Sequence, residues 1–108
     1  MNSRPRNTEQ EREFKGIWIP KEIWLNEELS LQERVLLSEI DSFEKKNGCF
    51  ASNAYLGKIV RLSASRVSGI ISKLVNLEYL STTMTYKPHS NEVDKRILKV
   101  NKRKIYGL

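Results

Sequence analysis

Apolar positions recur with different periods along the chain, and each period predicts an element. In residues 63–78, Val67, Ile70, Ile71, Leu74 and Leu77 recur at i, i+3, i+4, i+7 and i+10. That spacing lines one side of an α-helix with branched side chains. Residues 31–46 repeat the pattern, with Val35, Leu36, Ile40 and Phe43 inward and Glu39, Asp41, Glu44 and Lys45 outward. Ser30 and Glu33 have the S-x-x-E spacing in which each residue satisfies an orphan N–H of the other, and Asn47-Gly48 is a stop. A shorter helix over 53–60 has Tyr55, Leu56 and Ile59 as its buried side and Ser52 as its cap. Arg61-Leu62 closes a turn without a glycine, and Ser63 caps the helix that follows.

The flanks read differently. Ile17 and Ile19 alternate with Trp18 as in a short strand, and Pro20 opens a short helix. Trp18 and Trp24 are expected in the core, with a dimer surface as the alternative. Cys49-Phe50-Ala51 is an extended link. Residues 81–87 and 95–100 are β-branched and aromatic, and Pro88-His89-Ser90-Asn91 between them is turn chemistry. The predicted fold class is α+β, mostly α: a winged helix-turn-helix, with a three-helix core and a C-terminal β-hairpin wing. Residues 1–15 read as a flexible arm, 16–101 as the domain, and 102–108 as a basic tail or linker.

Composition narrows the class. The chain has 108 residues, 39% hydrophobic and 30% charged, with net charge +6. It is one domain's worth of residues, with composition typical of a globular cytoplasmic protein. Neither a membrane span nor a secretory leader is read from it. Cys49, the one cysteine, is expected as a small buried apolar residue. The charge is unevenly distributed: residues 16–50 carry four bases and seven acids, residues 51–108 eleven bases and three acids. The positive field belongs to the half that holds the helix of residues 63–78.

The polar side of that helix directs the functional reading. Ser65, Ser68, Gly69, Ser72, Lys73 and Asn76 lie opposite the apolar stripe, Arg66 borders it, and no acid appears before Glu78. Serine and glycine weaken a helix, Gly by about 1 kcal/mol relative to Ala. A slim face without carboxylates suits a surface that lies against a polyanion, where hydroxyls, amides and guanidinium groups bond to phosphates and base edges. The alternative is an ordinary solvated helix. The candidate contacts are Ser63, Ser65, Arg66, Ser68, Ser72 and Lys73 on this helix. Ser52, Asn53 and Arg61 join them from the shorter helix and turn, and Lys87, His89, Lys95 and Arg96 from the hairpin, with Lys99 beside them. Arg66 or Lys73 is the expected base reader. The hairpin's lysines also suit an edge strand guarded against pairing. No catalytic constellation, phosphate-binding loop or metal-ligand spacing occurs, so no enzyme activity, cofactor or metal is expected.

Four runs carry a resemblance: Gly16-Ile17-Trp18-Ile19-Pro20-Lys21-Glu22-Ile23-Trp24, Leu29-Ser30-Leu31-Gln32-Glu33, Gly48-Cys49-Phe50-Ala51-Ser52-Asn53 and Leu62-Ser63-Ala64-Ser65-Arg66-Val67-Ser68. Over about residues 16–101 the chain resembles the winged helix-turn-helix domain at the N-terminus of phage and plasmid replication initiators (replisome organisers) of Gram-positive bacteria. The resemblance implies binding of double-stranded DNA at a replication origin, with replisome partners recruited by a C-terminal domain this chain lacks. Related domains occur in phage regulators, so a transcriptional regulator is the alternative, and a winged-helix protein-interaction module a second one. A homodimer through the Trp18/Trp24 segment is a further expectation. Members of the family usually have glycine before the aromatic that opens the wing; here it is Glu78, a residue that tolerates positive φ poorly.

Overall fold

The helix on which the rest of the chain packs is α2 (Leu31–Phe43). It touches α1 (Lys21–Trp24), α3 (Asn53–Val60), α4 (Ala64–Asn76) and the second strand of a hairpin formed by β1 (Leu80–Tyr86) and β2 (Val93–Val100). A last short helix, α5 (Lys102–Tyr106), follows the hairpin. These elements come from a computed structural model that describes residues 14–43 and 48–107. The fold is α+β, with about half of the described residues in helices and one two-stranded antiparallel sheet.

Local signals form α2 much as its sequence predicts. The Ser30 N–H donates to Glu33 Oε1 at 2.8 Å, and the Glu33 N–H donates to Ser30 Oγ at 3.3 Å, a reciprocal cap. Burial departs from the prediction. Glu33, Leu36, Leu37, Ser38, Glu39, Ile40 and Phe43 are all buried. At 100° per residue they cover most of the circumference. Glu39, expected outside, is 1% exposed, Asp41 is half-buried, and Val35, expected inside, is half-buried too. A helix packed on several sides has no single solvated face, so of the predicted outer side Glu39 and Asp41 are drawn inward instead. Residues 44–46, predicted as the end of this helix, and Asn47 of the predicted stop lie outside the described residues.

The chain re-enters at Gly48, with φ +93°. A Cβ there would stand 2.7 Å from Ile97 Cγ2 and 2.9 Å from the Leu98 carbonyl oxygen, so only glycine passes this point without displacing β2. Cys49 then bridges to Leu98, exchanging N–H···O bonds of 2.8 and 2.7 Å. This bridge fastens the hairpin to the helical body, and Cys49 is fully buried, as expected.

Two serine caps bound the next helices. Ser52 Oγ accepts from the Tyr55 N–H at 3.0 Å, and Ser63 Oγ accepts from the Arg66 N–H at 3.0 Å. Between them Arg61 takes the left-handed conformation at φ 65°, and the Leu62 N–H closes on the Gly57 carbonyl at 2.9 Å. The turn itself lacks glycine, but one lies earlier in α3: a Cβ on Gly57 would come 2.3 Å from the Leu62 carbonyl oxygen. Close α3–α4 packing therefore depends on Gly57.

Helix α4 ends in a Schellman turn built on a residue poorly suited to it. Glu78 has φ 68°, its N–H bonds the Val75 carbonyl, and the Tyr79 N–H bonds the Leu74 carbonyl, both at 2.9 Å. Asn101 Nδ2 donates to the Glu78 carbonyl at 2.9 Å and holds the turn from the far end of the hairpin. Within the hairpin, Leu80 pairs with Val100, Thr82 with Leu98 and Met84 with Arg96, and the register shifts by one between Thr85 and Tyr86. Leu80, Leu98 and Val100 root the sheet in the core, while Met84, Tyr86 and Val93 stand exposed at its outer half.

Both ends of the domain correct the sequence reading. Residues 17–19 form no strand, because no described strand lies alongside to take their backbone groups. Trp18 is 81% exposed and Trp24 46%, so neither is a core residue; the segment anchors through Ile23 instead. Trp24 lies under the Arg34 guanidinium, 5.7 Å from the ring centroid. Residues 102–106, read as part of a tail or linker, form α5. Its Lys102 ammonium pairs with Asp41, and Tyr106 Oη donates to Asp41 Oδ2 at 2.7 Å. Burial, the Asp41 hydrogen bond and the charges of Asp41 and Glu22 raise the Tyr106 pKa, which favours the protonated phenol that donates this bond.

Candidate nucleic-acid interface

The outward side of α4 is thin and uncharged at its centre. Ser65, Ser68, Gly69, Ser72 and Asn76 are all exposed, opposite the buried Val67, Ile70, Ile71 and Leu74. An added Cβ at Gly69 would meet nothing within 4 Å. Packing among the described residues therefore gives no reason for glycine there. The exposed side of α4 carries no carboxylate, which agrees with the expectation from spacing.

The two bases of α4 are both held by the first turn of α2. Gln32 Oε1 accepts from Arg66 Nε at 3.2 Å and from Arg66 Nη2 at 3.1 Å. Lys73 Nζ lies 3.1 and 3.0 Å from the two oxygens of Glu33. Arg66 and Lys73 are seven residues apart, so they stack on one edge of α4. Burial pushes the Glu33 carboxyl upward, but the Ser30 N–H, the Lys73 ammonium and the Ser30 hydroxyl outweigh it and leave its pKa below the ordinary value. Lys73 is thus neutralised by an ion pair, whereas Arg66 meets only a neutral amide and keeps its net charge. Of the two expected base readers, Arg66 is the one left with an unbalanced charge.

The other candidate residues divide in a similar way. Ser52 and Ser63 accept capping bonds through Oγ, and each hydroxyl keeps its own hydrogen to donate. Arg61 is exposed at the turn. Asn53 and Arg96 bond each other: Arg96 Nη1 to Asn53 Oδ1 at 2.5 Å, with Nη2 on the Ala51 carbonyl at 2.6 Å. Burial lowers the Arg96 pKa. This guanidinium works first as a strut between β2 and the start of α3. Beside it is an open cleft of about 320 Å³ lined by Phe50, Ser52, Asn53, Val93 and Lys95. Lys95 stands 5.2 Å over the Phe50 ring. At the hairpin's end, Lys87 pairs with Glu92 at 3.5 Å, both exposed, and His89 takes φ 56° in the turn. Surface pairs of this kind are weak, so Lys87 exchanges Glu92 for another anion at little cost.

Two further polar residues near these elements carry no local signal in the sequence. Gln32 contacts Arg66 across 34 positions of sequence, and no local pattern marks it. Lys58 is exposed on α3, and only the regional excess of bases could have suggested it. Among the described residues, no group of three or more His, Cys, Asp or Glu could hold a metal ion, and no helix is long and apolar enough to cross a membrane. Comparisons with protein families, curated proteins and solved structures return no match for this chain.

Proposed function

We propose that this chain is a winged helix-turn-helix domain that binds double-stranded DNA sequence-specifically. In this reading α4 enters the major groove, the α3–α4 turn and the hairpin grip phosphates on either side, and the hairpin is the wing. The observation that carries it is the exposed, carboxylate-free side of α4, edged by an Arg66 whose charge no described residue cancels. Lys58, Arg61 and Lys99 are further exposed bases. Following the resemblance carried by the four sequence runs, we take the role to be origin recognition in phage or plasmid replication, in the bacterial cytoplasm. Transcriptional regulation uses the same contacts and is the alternative role.

A second reading has one specific observation in its favour. Phe14, Trp18, Trp24 and Leu25 are exposed large apolar groups near one another in sequence, and joined into one patch they would form an association surface. A second copy of this chain or a replisome protein would cover them.

Salt titration tests the main reading. Affinity for duplex DNA should fall steeply with salt, with a log–log slope set by the number of phosphates neutralised. A domain that only binds protein would show little DNA affinity at any salt concentration.

A further inference from the structure

We propose that Gln32 sets the specificity of this interface by holding the Arg66 guanidinium along one edge, so that its terminal edge reads a guanine. The inference rests on the DNA-binding reading above. A guanidinium offers five N–H donors in one plane. Gln32 Oε1 takes the Nε–H and one N–H of Nη2, at 3.2 and 3.1 Å; these two hydrogens point to the same side of the group. The adjacent, terminal edge has one N–H on Nη1 and one on Nη2, parallel and without a partner among the described residues. Two parallel donors match the O6 and N7 acceptors of guanine in the major groove, whereas adenine offers one acceptor and one donor there.

The neighbouring pair shows why the holding group is an amide. Glu33, the next residue of α2, cancels the charge of Lys73. Gln32 fixes direction without cancelling charge. An arginine already oriented loses less conformational freedom on binding, and the bond spans 34 positions of sequence, so α2 aims a residue of α4.

The experiment selects duplexes from a randomised pool with the wild-type chain. Wild type, Gln32→Leu, Gln32→Glu and Arg66→Ala are then titrated at several salt concentrations. The probes are the selected duplex, versions with single guanines replaced by 7-deazaguanine, and a scrambled duplex. Gln32 is exposed and the α2 cap is made by Ser30 and Glu33, so thermal melts should show all variants folded. One 7-deazaguanine should cost wild type about tenfold and cost Arg66→Ala nothing. Gln32→Leu should lose most of the preference for the selected duplex with its salt slope unchanged. Gln32→Glu should lower the slope by about one on both duplexes. If Gln32→Leu keeps the wild-type preference, or no guanine couples to Arg66, the inference fails and the DNA-binding reading stands. A wild type without salt-dependent affinity for any duplex overturns both.

Discussion

Glu33 holds Lys73 with both carboxylate oxygens while one of them also accepts the Ser30 N–H, so a single side chain caps α2 and ties it to α4. The Glu33 pKa is lower in the folded chain than its ordinary value of 4.5. Its contribution to stability is therefore complete above about pH 4.5 and is lost as pH falls through the lower, folded value. Lys73→Met should destabilise by about 1 kcal/mol near neutral pH, in the range of a partly exposed pair. That difference from wild type should shrink on acidification below pH 4.5, read by urea melts across pH. A difference that does not change with pH would show the pair to be energetically silent.

Gly57 should be the least replaceable residue of the α3–α4 turn. Its missing Cβ leaves room for the Leu62 carbonyl, 2.3 Å from where that carbon would be. The obstacle is backbone, which cannot rotate away, so Gly57→Ala should cost about 2–3 kcal/mol as an overpacking change. Gly69→Ala is the control. Nothing lies within 4 Å of its Cβ, so it should gain helix propensity, up to about 1 kcal/mol. Thermal melts of the two variants should move in opposite directions.

Glu78 keeps φ 68° because Asn101, the Leu74 carbonyl and the Val75 carbonyl all hold the turn around it. A left-handed residue with a Cβ costs roughly 1–2 kcal/mol. Glu78→Gly should therefore raise stability, by about 1 kcal/mol once the freer unfolded chain is counted, measured as a higher denaturation midpoint. No gain would mean that the turn relaxes in solution.

Arg66→Ala separates base reading from backbone grip. Loss of a bidentate base contact should cost about 1–3 kcal/mol on a cognate duplex and much less on a scrambled one. Equal losses on both would assign Arg66 to phosphate alone. Arg96→Ala should behave differently, lowering thermal stability, because this guanidinium braces Asn53 and the Ala51 carbonyl.

Several elements were legible in sequence because their causes lie within a turn or two of chain. The Ser30/Glu33, Ser52 and Ser63 caps, the 3.6-residue period of α4 and the turn between β1 and β2 all depend on neighbours a few positions away. The same locality made the slim side of α4 readable. Misreadings occurred where the deciding partner is remote. Burial of Glu39 follows from packing around α2, not from the helix's own pattern. Trp18 is exposed although its side chain is large and apolar, while Ile23 is the buried residue of its segment. The closing residues are basic enough to suggest a loose end, yet Asp41, 65 positions before Tyr106, gives them a place to dock.

Residue types and spacing thus determined the first four helices, the hairpin and which side of α4 lacks carboxylates. Only the tertiary structure decided which of the candidate bases are already engaged. It drew Glu33 to Lys73, Gln32 to Arg66 and Asn53 to Arg96 across 34 to 43 positions of chain. The reason is range: capping and periodicity act through adjacent backbone, whereas a side chain finds a charge partner only after folding brings distant segments together.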